Sequence, residues 1–397
     1  MNIFGLEISL RRKSAVLTTN EVLRRLEMIN ELASGIVVTP ETCMQSPTVQ
    51  AIVQAISRRI ATLPVTVQRV SERNGRKITE RLPNHPVAKL LSAPNDWQTR
   101  VTYWLDATSW LVRYGNFYAF KARGQTGPIR RLVPLVPSNV QVEQDPETLD
   151  VKYRVALGNG NYQEYPANQI HHCRGPARDG VKGDSPVMDV AEAIALEIAA
   201  EKMGAAVFGN GAQPGIIFKF SEGSAGFKTD EERAKFVEDF QNAYTRRGRH
   251  RALLLPKGID LAQQISIDNE KAQFLATRQY QRTVIAGAFG VPPHMVGDLS
   301  KGTFNNVEQQ SLDFTLNVVL PYVRIFEAAM ERDLLTTEDR AQGIRIRFNL
   351  EGALRGDFKT RQEGLKIQRE MGVINANEWR ELEGLNPISE DDGGETY

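Results

Sequence analysis

Two hydrophobic periods alternate along this chain, one helical and one of two residues, and the switches between them mark its elements. Ser46-Pro47 opens a predicted helix, with serine as cap and proline at the first helical position, running to about Ala61. Residues 63–70 then read as a strand, and Asn74-Gly75 as a two-residue hairpin turn. A second helix is predicted over about 98–114, carrying Tyr103, Trp104, Trp110 and Leu111. Short strands follow at 116–121, 129–136, 140–143, 151–156 and 170–174, separated by Gly, Pro, Asn and Asp clusters. Residues 41–180 thus read as one α+β domain, and 1–40, where periodicity is weak, as a flexible arm.

The pattern changes at Asp184-Ser185-Pro186. These residues start a helix rich in small side chains, Ala191, Ala193, Ala195, Ala199, Ala200, Gly204, Ala205 and Ala206, which favour helix and let neighbouring helices approach closely. It ends near Gly209-Asn210-Gly211. A strand (215–220), an amphipathic helix (230–245) and strand pieces (252–255, 261–265) follow. They make an α/β insert of about 55 residues, small enough to gain from burying a face against a partner subunit. A helix over 269–289 returns from the insert. After a loop, a long helix is predicted over 306–335, kinked at Pro321, which removes one backbone hydrogen bond and clashes with the previous turn. A strand (344–350), a helix (358–371), a shorter helix from about Asn375 and an acidic tail, Glu390-Asp391-Asp392-Gly393-Gly394-Glu395, complete the chain.

Composition narrows the function classes. Apolar and charged residues make up 41% and 24% of the 397 positions, ordinary values for a soluble protein. Lys and Arg number 49 against 48 Asp and Glu, a net charge of +1. Tight duplex binders carry a marked basic excess, so any handling of DNA must use local patches or avoid a firm grip. Cys43 and Cys173 are the sole cysteines, which implies no disulfide framework and a reducing compartment. The N-terminus places apolar residues before the positive ones, the reverse of a secretory signal. Asp189, Glu192, Glu197, Glu201 and Lys202 interrupt the most apolar helix, so no membrane association is expected.

Candidates for catalysis are few. His171-His172-Cys173 lies on a predicted strand, where alternate residues face opposite ways, so at most two of the three could meet one ion. His85, His250 and His294 are isolated in sequence. The glycine run 209–215 follows a helix and has the wrong spacing for a dinucleotide fingerprint, and no phosphate-binding loop with Gly-Lys-Ser/Thr occurs. Glu197 and Glu201 read as a solvated or subunit-facing stripe. No metal and no cofactor is expected.

The basic features and one loop are more informative. Arg246, Arg247, Arg249 and Arg251 crowd the turn after the insert's helix, either as a solvated turn or as a rim for nucleic acid or an acidic partner. On the returning helix Lys271, Arg278 and Arg282 fall within an arc of about 40°. Ala272, Leu275, Ala276, Gln279, Tyr280 and Thr283 occupy the neighbouring sector. This suits either a plain soluble helix face or a helix inside an oligomer with one edge open to a polyanion. The loop after it reads Phe289-Gly-Val-Pro-Pro-His-Met-Val-Gly-Asp298, then Leu-Ser-Lys301-Gly302-Thr303-Phe304. Pro292 and Pro293 stop the helix, Gly297 and Gly302 permit unusual backbone angles, and Asn305 or Asn306 can cap the next helix.

Four stretches, Ala200-Glu201-Lys202 through Gly215, the loop Phe289–Asp298, Phe304-Asn-Asn-Val-Glu-Gln-Gln310, and Asn375-Ala-Asn-Glu-Trp-Arg380 with Gly384-Leu-Asn-Pro387, stand in an order that resembles the phage portal protein family. The resemblance covers nearly the whole chain. It implies an α+β, portal-like subunit with an α/β wing (41–185 and 307–351), a two-helix stem (186–208 and 268–290), a small α/β clip (209–267), a tunnel loop (291–306), the long kinked helix, and a helical crown (352–397). Such proteins form twelve-subunit rings at one capsid vertex of the virion, assembled in the bacterial host cytoplasm against the major capsid protein. They dock the terminase motor, pass duplex DNA non-specifically, and later receive head-completion and tail-connector proteins. The motor hydrolyses ATP and the portal does not, so no enzyme activity is expected.

The implied tunnel-loop residues are Pro292, Pro293, His294, Gly297, Asp298, Gly302, Thr303 and Phe304. Lys301, supported by Lys271, Arg278 and Arg282, is the expected DNA contact, and Arg246, Arg247, Arg249 and Arg251 form the clip rim. Two rival readings remain, a metal-dependent nucleic-acid enzyme and a monomeric DNA-binding or scaffolding module. The even charge argues against a basic binding surface, and the small-residue helix with its undersized insert argues against a stable single subunit.

Overall fold

The computed structural model describes residues 35–396 apart from 74–75, 124–126, 159, 210–217, 221–225, 228, 245–258, 262–267, 299–303, 351–357, 384–387 and 390–391. Its elements divide into two units, one formed by Pro47–Asp189 with Ala286–Tyr397, the other by Met1–Ser46 with Val190–Ile285.

In the first unit α1 (Pro47–Ala61) starts at the predicted proline and buries Val49, Ile52, Val53, Ile56 and Ile60, the helical spacing of a core face. β1 (Val65–Arg73) and β2 (Arg76–Arg81) form the predicted hairpin. The expected turn Asn74-Gly75 lies outside the described residues, and the pairing Arg73↔Arg76 leaves those two positions between the strands. α2 (Pro86–Ser92) is absent from the sequence prediction; His85 caps it through Nδ1, which accepts from the Val87 N–H at 3.3 Å. α3 (Arg100–Tyr114) is capped by Thr99 and ends at Gly115, whose φ is +69°. A Cβ at Gly115 would stand 1.9 Å from the Asp184 carbonyl oxygen, so only glycine fits that crossing.

Six strands follow: β3 (Asn116–Arg123), β4 (Ile129–Leu135), β5 (Val140–Gln144), β6 (Val151–Ala156), β7 (Tyr162–Pro166) and β8 (Ile170–Arg174). They make two antiparallel sheets, ordered β4-β3-β8 and β5-β6-β7. Here β7 adds to the predicted set; its side chains are mostly exposed, so it carries little apolar signal. After the short α4 (Pro186–Asp189) the chain leaves for the other unit.

On its return a continuous helical rod is built from α8 (Phe304–Phe314), a π turn (Thr315–Val319) and α9 (Leu320–Leu334). The predicted kink at Pro321 takes the form of that π turn. Leu320 donates to the Thr315 carbonyl five residues back, which widens the rod just where proline can neither donate nor tolerate the normal carbonyl approach. α10 (Thr337–Ala341), started by a Thr336/Asp339 capping box, leads into β11 (Ile344–Phe348).

β11 pairs with β1, completing a sheet ordered β11-β1-β2 from strands about 280 positions apart. Its free edge is closed by α9. Buried Glu327 accepts from the Phe348 N–H at 2.8 Å, and Glu331 from the Ile346 N–H at 3.0 Å, in place of a next strand. The shared core centres on Trp104, edge-on to Phe326 (5.1 Å) and Phe348 (5.0 Å), with Tyr103 edge-on to Phe117 (5.7 Å). One aromatic cluster thus joins α3, α9, β3 and β11.

α11 (Phe358–Glu370) and α12 (Ala376–Leu382) end the chain. Asn375 and Glu378 cap α12 reciprocally at 2.8 and 2.7 Å. The expected acidic tail folds back here: Asn377 holds both the N–H and the carbonyl of Ile388, and its own N–H donates to the Gly394 carbonyl.

The second unit holds α5 (Ala191–Gly209), β9 (Phe218–Phe220), α6 (Asp230–Tyr244), β10 (Ile259–Leu261) and α7 (Asp268–Ala288), with β9 and β10 antiparallel. α5 buries Ala191, Ile194, Ala195 and Ile198 on one side. The solvated or subunit-facing stripe expected of Glu197 is corrected: Glu197 is buried and accepts from the Ser46 hydroxyl, because Thr42–Gln45 packs on this helix. The predicted strand at 252–255 lies outside the described residues.

Candidate nucleic-acid interface

The loop singled out by the sequence is built from two glycine caps in succession. At the end of α7 the Val291 N–H donates to the Ala286 carbonyl (2.9 Å) and the Gly290 N–H to the Gly287 carbonyl (3.0 Å), with Gly290 at φ +67°. This is the Schellman arrangement, and the buried pair Val291 and Ala286 supplies its apolar contact. Seven residues on it recurs after the 3₁₀ turn Pro293–Val296. The Asp298 N–H donates to the Pro293 carbonyl (3.0 Å) and the Gly297 N–H to His294 (3.3 Å), with Gly297 at φ +84°.

Side chains then fix this half of the loop to the rod. His294 Nδ1 stands 2.9 Å from Gln310 Oε1, and since a carbonyl oxygen only accepts, Nδ1 carries the proton. Met295, with Ser311 and Phe314, faces Arg58 and Arg59 across an open pocket of about 290 Å³. Arg59 in turn donates to Thr315 Oγ1 at 3.3 Å, at the start of the π turn.

Of the predicted loop residues, Pro292, Pro293, His294, Gly297 and Asp298 therefore belong to the capped segment, and Phe304 opens α8. Lys301, Gly302 and Thr303 lie outside the described residues, as do the rim arginines Arg246, Arg247, Arg249 and Arg251. Lys271 lies on α7, within the span of the helix whose side chains are not described.

Arg278 and Arg282 are half-buried, and Arg278 stands 4.0 Å from Glu201 on α5. The exposed residues of α7 include Ala276, Gln279, Tyr280 and Thr283, from the sector read from sequence as close-packing, with Val284 beside them. At about 100° per residue both arginines point roughly 160° away from Tyr280.

The His171-His172-Cys173 strand resolves into a buried lock. His171 and Cys173 share one face and His172 takes the other, as strand alternation requires. The Cys173 thiol lies 3.2 Å from His171 Nε2, and His171 Nδ1 2.9 Å from Asp333 Oδ2. Arg332 grips the same carboxylate at 2.6 and 2.8 Å and reaches the His172 carbonyl at 2.7 Å. Burial alone would raise the Asp333 carboxyl, yet the hydrogen bonds from Arg332 and His171 hold it well below the usual carboxylate range.

On the other face His172 Nε2 donates to Asn116 Oδ1 (3.0 Å), an oxygen that also accepts from the Gly183 N–H. Nδ1 then accepts from the Tyr153 hydroxyl at 3.0 Å. Burial, with Arg332 nearby, pushes this imidazole down to about 3, so it stays neutral. The Cys–His–Asp alignment resembles a nucleophile relay, but the thiol is fully buried and burial pushes its pKa well up, so it serves as a hydrogen-bond donor. Among the described residues no group of three or more His, Cys, Asp or Glu side chains could hold a metal. Sequence reading overlooked Asp333 and Arg332, the signal being only an Arg-Asp pair in a long helix.

The model of the family described as "Phage portal protein" matches residues 47–384, spanning both units. The chain is 28% identical to the portal protein of Enterobacteria phage HK97, covering 88% of this chain and 81% of that one. It is 30% identical to the probable portal protein of Streptomyces phage phiC31, covering 92% and 80%. Among solved structures, the neck of the native gene transfer agent particle in C12 symmetry matches with a TM-score of 0.58 at 21% identity, over 92% of this chain and all of that one. An HK97-family portal protein from Corynebacterium diphtheriae matches with a TM-score of 0.55 at 14% identity, over 80% and 98%. With its α+β fold, its two units and its doubly capped loop, the chain belongs to the phage portal protein family.

Proposed function

We propose that this chain is the subunit of a closed ring at one capsid vertex of a virion, through which duplex DNA is packaged and later ejected. The observation that carries the reading is the family match, which runs over residues 47–384 and so takes in the loop after α7. In this reading the two helices α5 and α7 form the stem around the channel, the segment between them is the clip that docks the terminase motor, and head-completion proteins join afterwards. The ring has twelve copies, as the particle neck related in fold has C12 symmetry. The chain acts as a structural conduit, not as an enzyme.

Near-neutral charge suits such a passage, since each strong phosphate contact would release counterions and act as a brake. Lys301 is the leading phosphate contact. Lys271, Arg278 and Arg282 support it, with Arg278 already sharing its charge with Glu201. Arg246, Arg247, Arg249 and Arg251 form a basic rim at the clip. Native mass measurement and negative-stain imaging of the purified full chain should show closed rings with a central channel. Metal-dependent cleavage of duplex DNA by a ringless protein would overturn the proposal.

A further inference from the structure

The turn between β5 and β6 holds a leucine in a conformation that leucine disfavours. Among the described residues Leu149 is the only non-glycine at positive φ, +60°. There a Cβ crowds the backbone, so glycine or asparagine is the unstrained choice. The turn fixes this geometry from every side. Gln144 pairs with Val151 at its base, and the Asp145 N–H donates to the Asp150 carbonyl at 2.9 Å. Asp145 Oδ1 accepts from the N–H groups of Glu147 and Thr148, both at 2.9 Å. The Leu149 N–H donates to the Asp145 carbonyl (2.9 Å), and the Leu149 carbonyl accepts from Gln144 Nε2 (3.0 Å).

Both backbone groups of Leu149 are thus engaged, while its side chain stands 65% exposed. It takes no part in the core under this sheet, which is made by Tyr118, Val140, Tyr153, Val155 and Ile170. Strain kept at a surface point, with no packing gained, marks a residue held for a task outside its own chain.

The charges beside it say what it meets. Asp145, Glu147 and Asp150 share the turn, against Lys152 as the one cation between residues 145 and 152. The N–H groups of Thr148 and Glu147 hold the Asp145 carboxyl below its ordinary value, so it stays charged. Three carboxylates repel nucleic acid and anionic lipid alike. A wholly apolar partner would bury them unpaired, at a cost. What fits is an apolar socket for one leucine with Lys or Arg on its rim.

We infer that Leu149 is an anchor that seats in an apolar socket rimmed by lysine or arginine on a different protein of the particle. The inference rests on the reading of this chain as a particle component and goes beyond it in naming the contact. A turn already fixed in its bound form suits an anchor, because little entropy is lost on docking.

The test uses the full chain in assembled particles. Leu149 is replaced by photoreactive p-benzoylphenylalanine in chains made beside the unaltered one, so that mixed rings form. Purified particles are irradiated and the joined peptides read by mass spectrometry. The expected product links position 149 to a peptide of another particle protein, with Lys or Arg beside the attachment point. A link to DNA, a link to a second copy of this chain, or no link from particles that contain the variant would overturn the inference and leave the ring reading intact. Absence of the unaltered chain from purified particles would remove both.

Two substitutions separate docking from folding. Leu149→Asn relieves the strain and should raise the urea midpoint of the purified chain. It should also lower incorporation into particles roughly tenfold or more, the loss expected for one buried leucine. Leu149→Met keeps an apolar side chain and should incorporate like the unaltered chain. A raised midpoint with unchanged incorporation of Leu149→Asn would show an idle leucine and sink the proposal. A lowered midpoint would sink it too, since the leucine would then be packing within its own chain.

Discussion

Gly290 and Val318 touch across the junction between loop and rod: a Cβ on Gly290 would stand 3.0 Å from Val318 Cγ2. The same glycine holds φ +67° as the cap of α7, so its missing side chain meets two demands at once. The loop's first cap is thereby pressed against the π turn.

Gly290→Ala should therefore cost more than Gly297→Ala. Both place alanine in the left-handed region, at about 1–2 kcal/mol each. At Gly297 nothing lies within 4 Å of the added methyl, whereas at Gly290 Val318 must give way. Urea unfolding should rank Gly290→Ala as the less stable by roughly 1 kcal/mol. Equal losses would show that the Val318 contact yields freely.

The His172 lock should make stability depend on pH in a defined window. Its folded pKa, about 3, lies below the ordinary imidazole value of 6.5, so between those limits the unfolded chain binds a proton that the folded chain refuses. The contribution is complete above pH 6.5 and is lost at about 1.4 kcal/mol per unit as pH falls toward 3. Asp333 stays ionised through that window and does not offset it. Denaturation at pH 7.5, 6, 5 and 4 should show the slope, and His172→Gln should flatten it while lowering stability at pH 7.5.

Much of this fold is legible in the sequence because its signals are local. Ser46-Pro47 marks the start of α1, and the helix predicted over about 98–114 matches α3 within two residues. β11 was legible as a strand, but its pairing was not, since its partner β1 lies far away and its edge is satisfied by glutamates of a third element. Pro321 announced a disturbance but not its form, because a π turn distributes the missing bond over the five preceding residues. On α7 the sequence separates the arginine arc from the small and apolar sector but does not say what each faces. Periodicity groups Arg278 with Arg282, but only the position of Glu201 decides which way that group points.

The thiols report on the Asp333 lock. Cys43 and Cys173 are fully buried, and burial pushes the Cys173 thiol well up, so neither should react with an aromatic disulfide reagent in the native protein at pH 8. Asp333→Asn removes the charged acceptor shared by Arg332, His171 and the His172 N–H, and should cost roughly 2–3 kcal/mol. Cys173 should then become reactive without full unfolding. A rapid native reaction of the unaltered chain would mean that β8 opens far more readily than this network allows.

Lys301 carries the last prediction. If it is the main phosphate contact of the passage, assembled rings should bind duplex DNA modestly, with affinity falling as salt rises. The logarithmic salt slope is about −0.9 for each phosphate neutralised. Lys301→Ala should make that slope shallower and should not alter sequence preference, because phosphate contacts position DNA without reading it. Arg282→Ala should do less, as its half-buried face turns away from the exposed stripe of α7. Filter binding from 50 to 300 mM salt distinguishes these cases. A nanomolar complex with one sequence at physiological salt would contradict the weak-contact reading, for a channel that must move many base pairs cannot hold any one of them firmly.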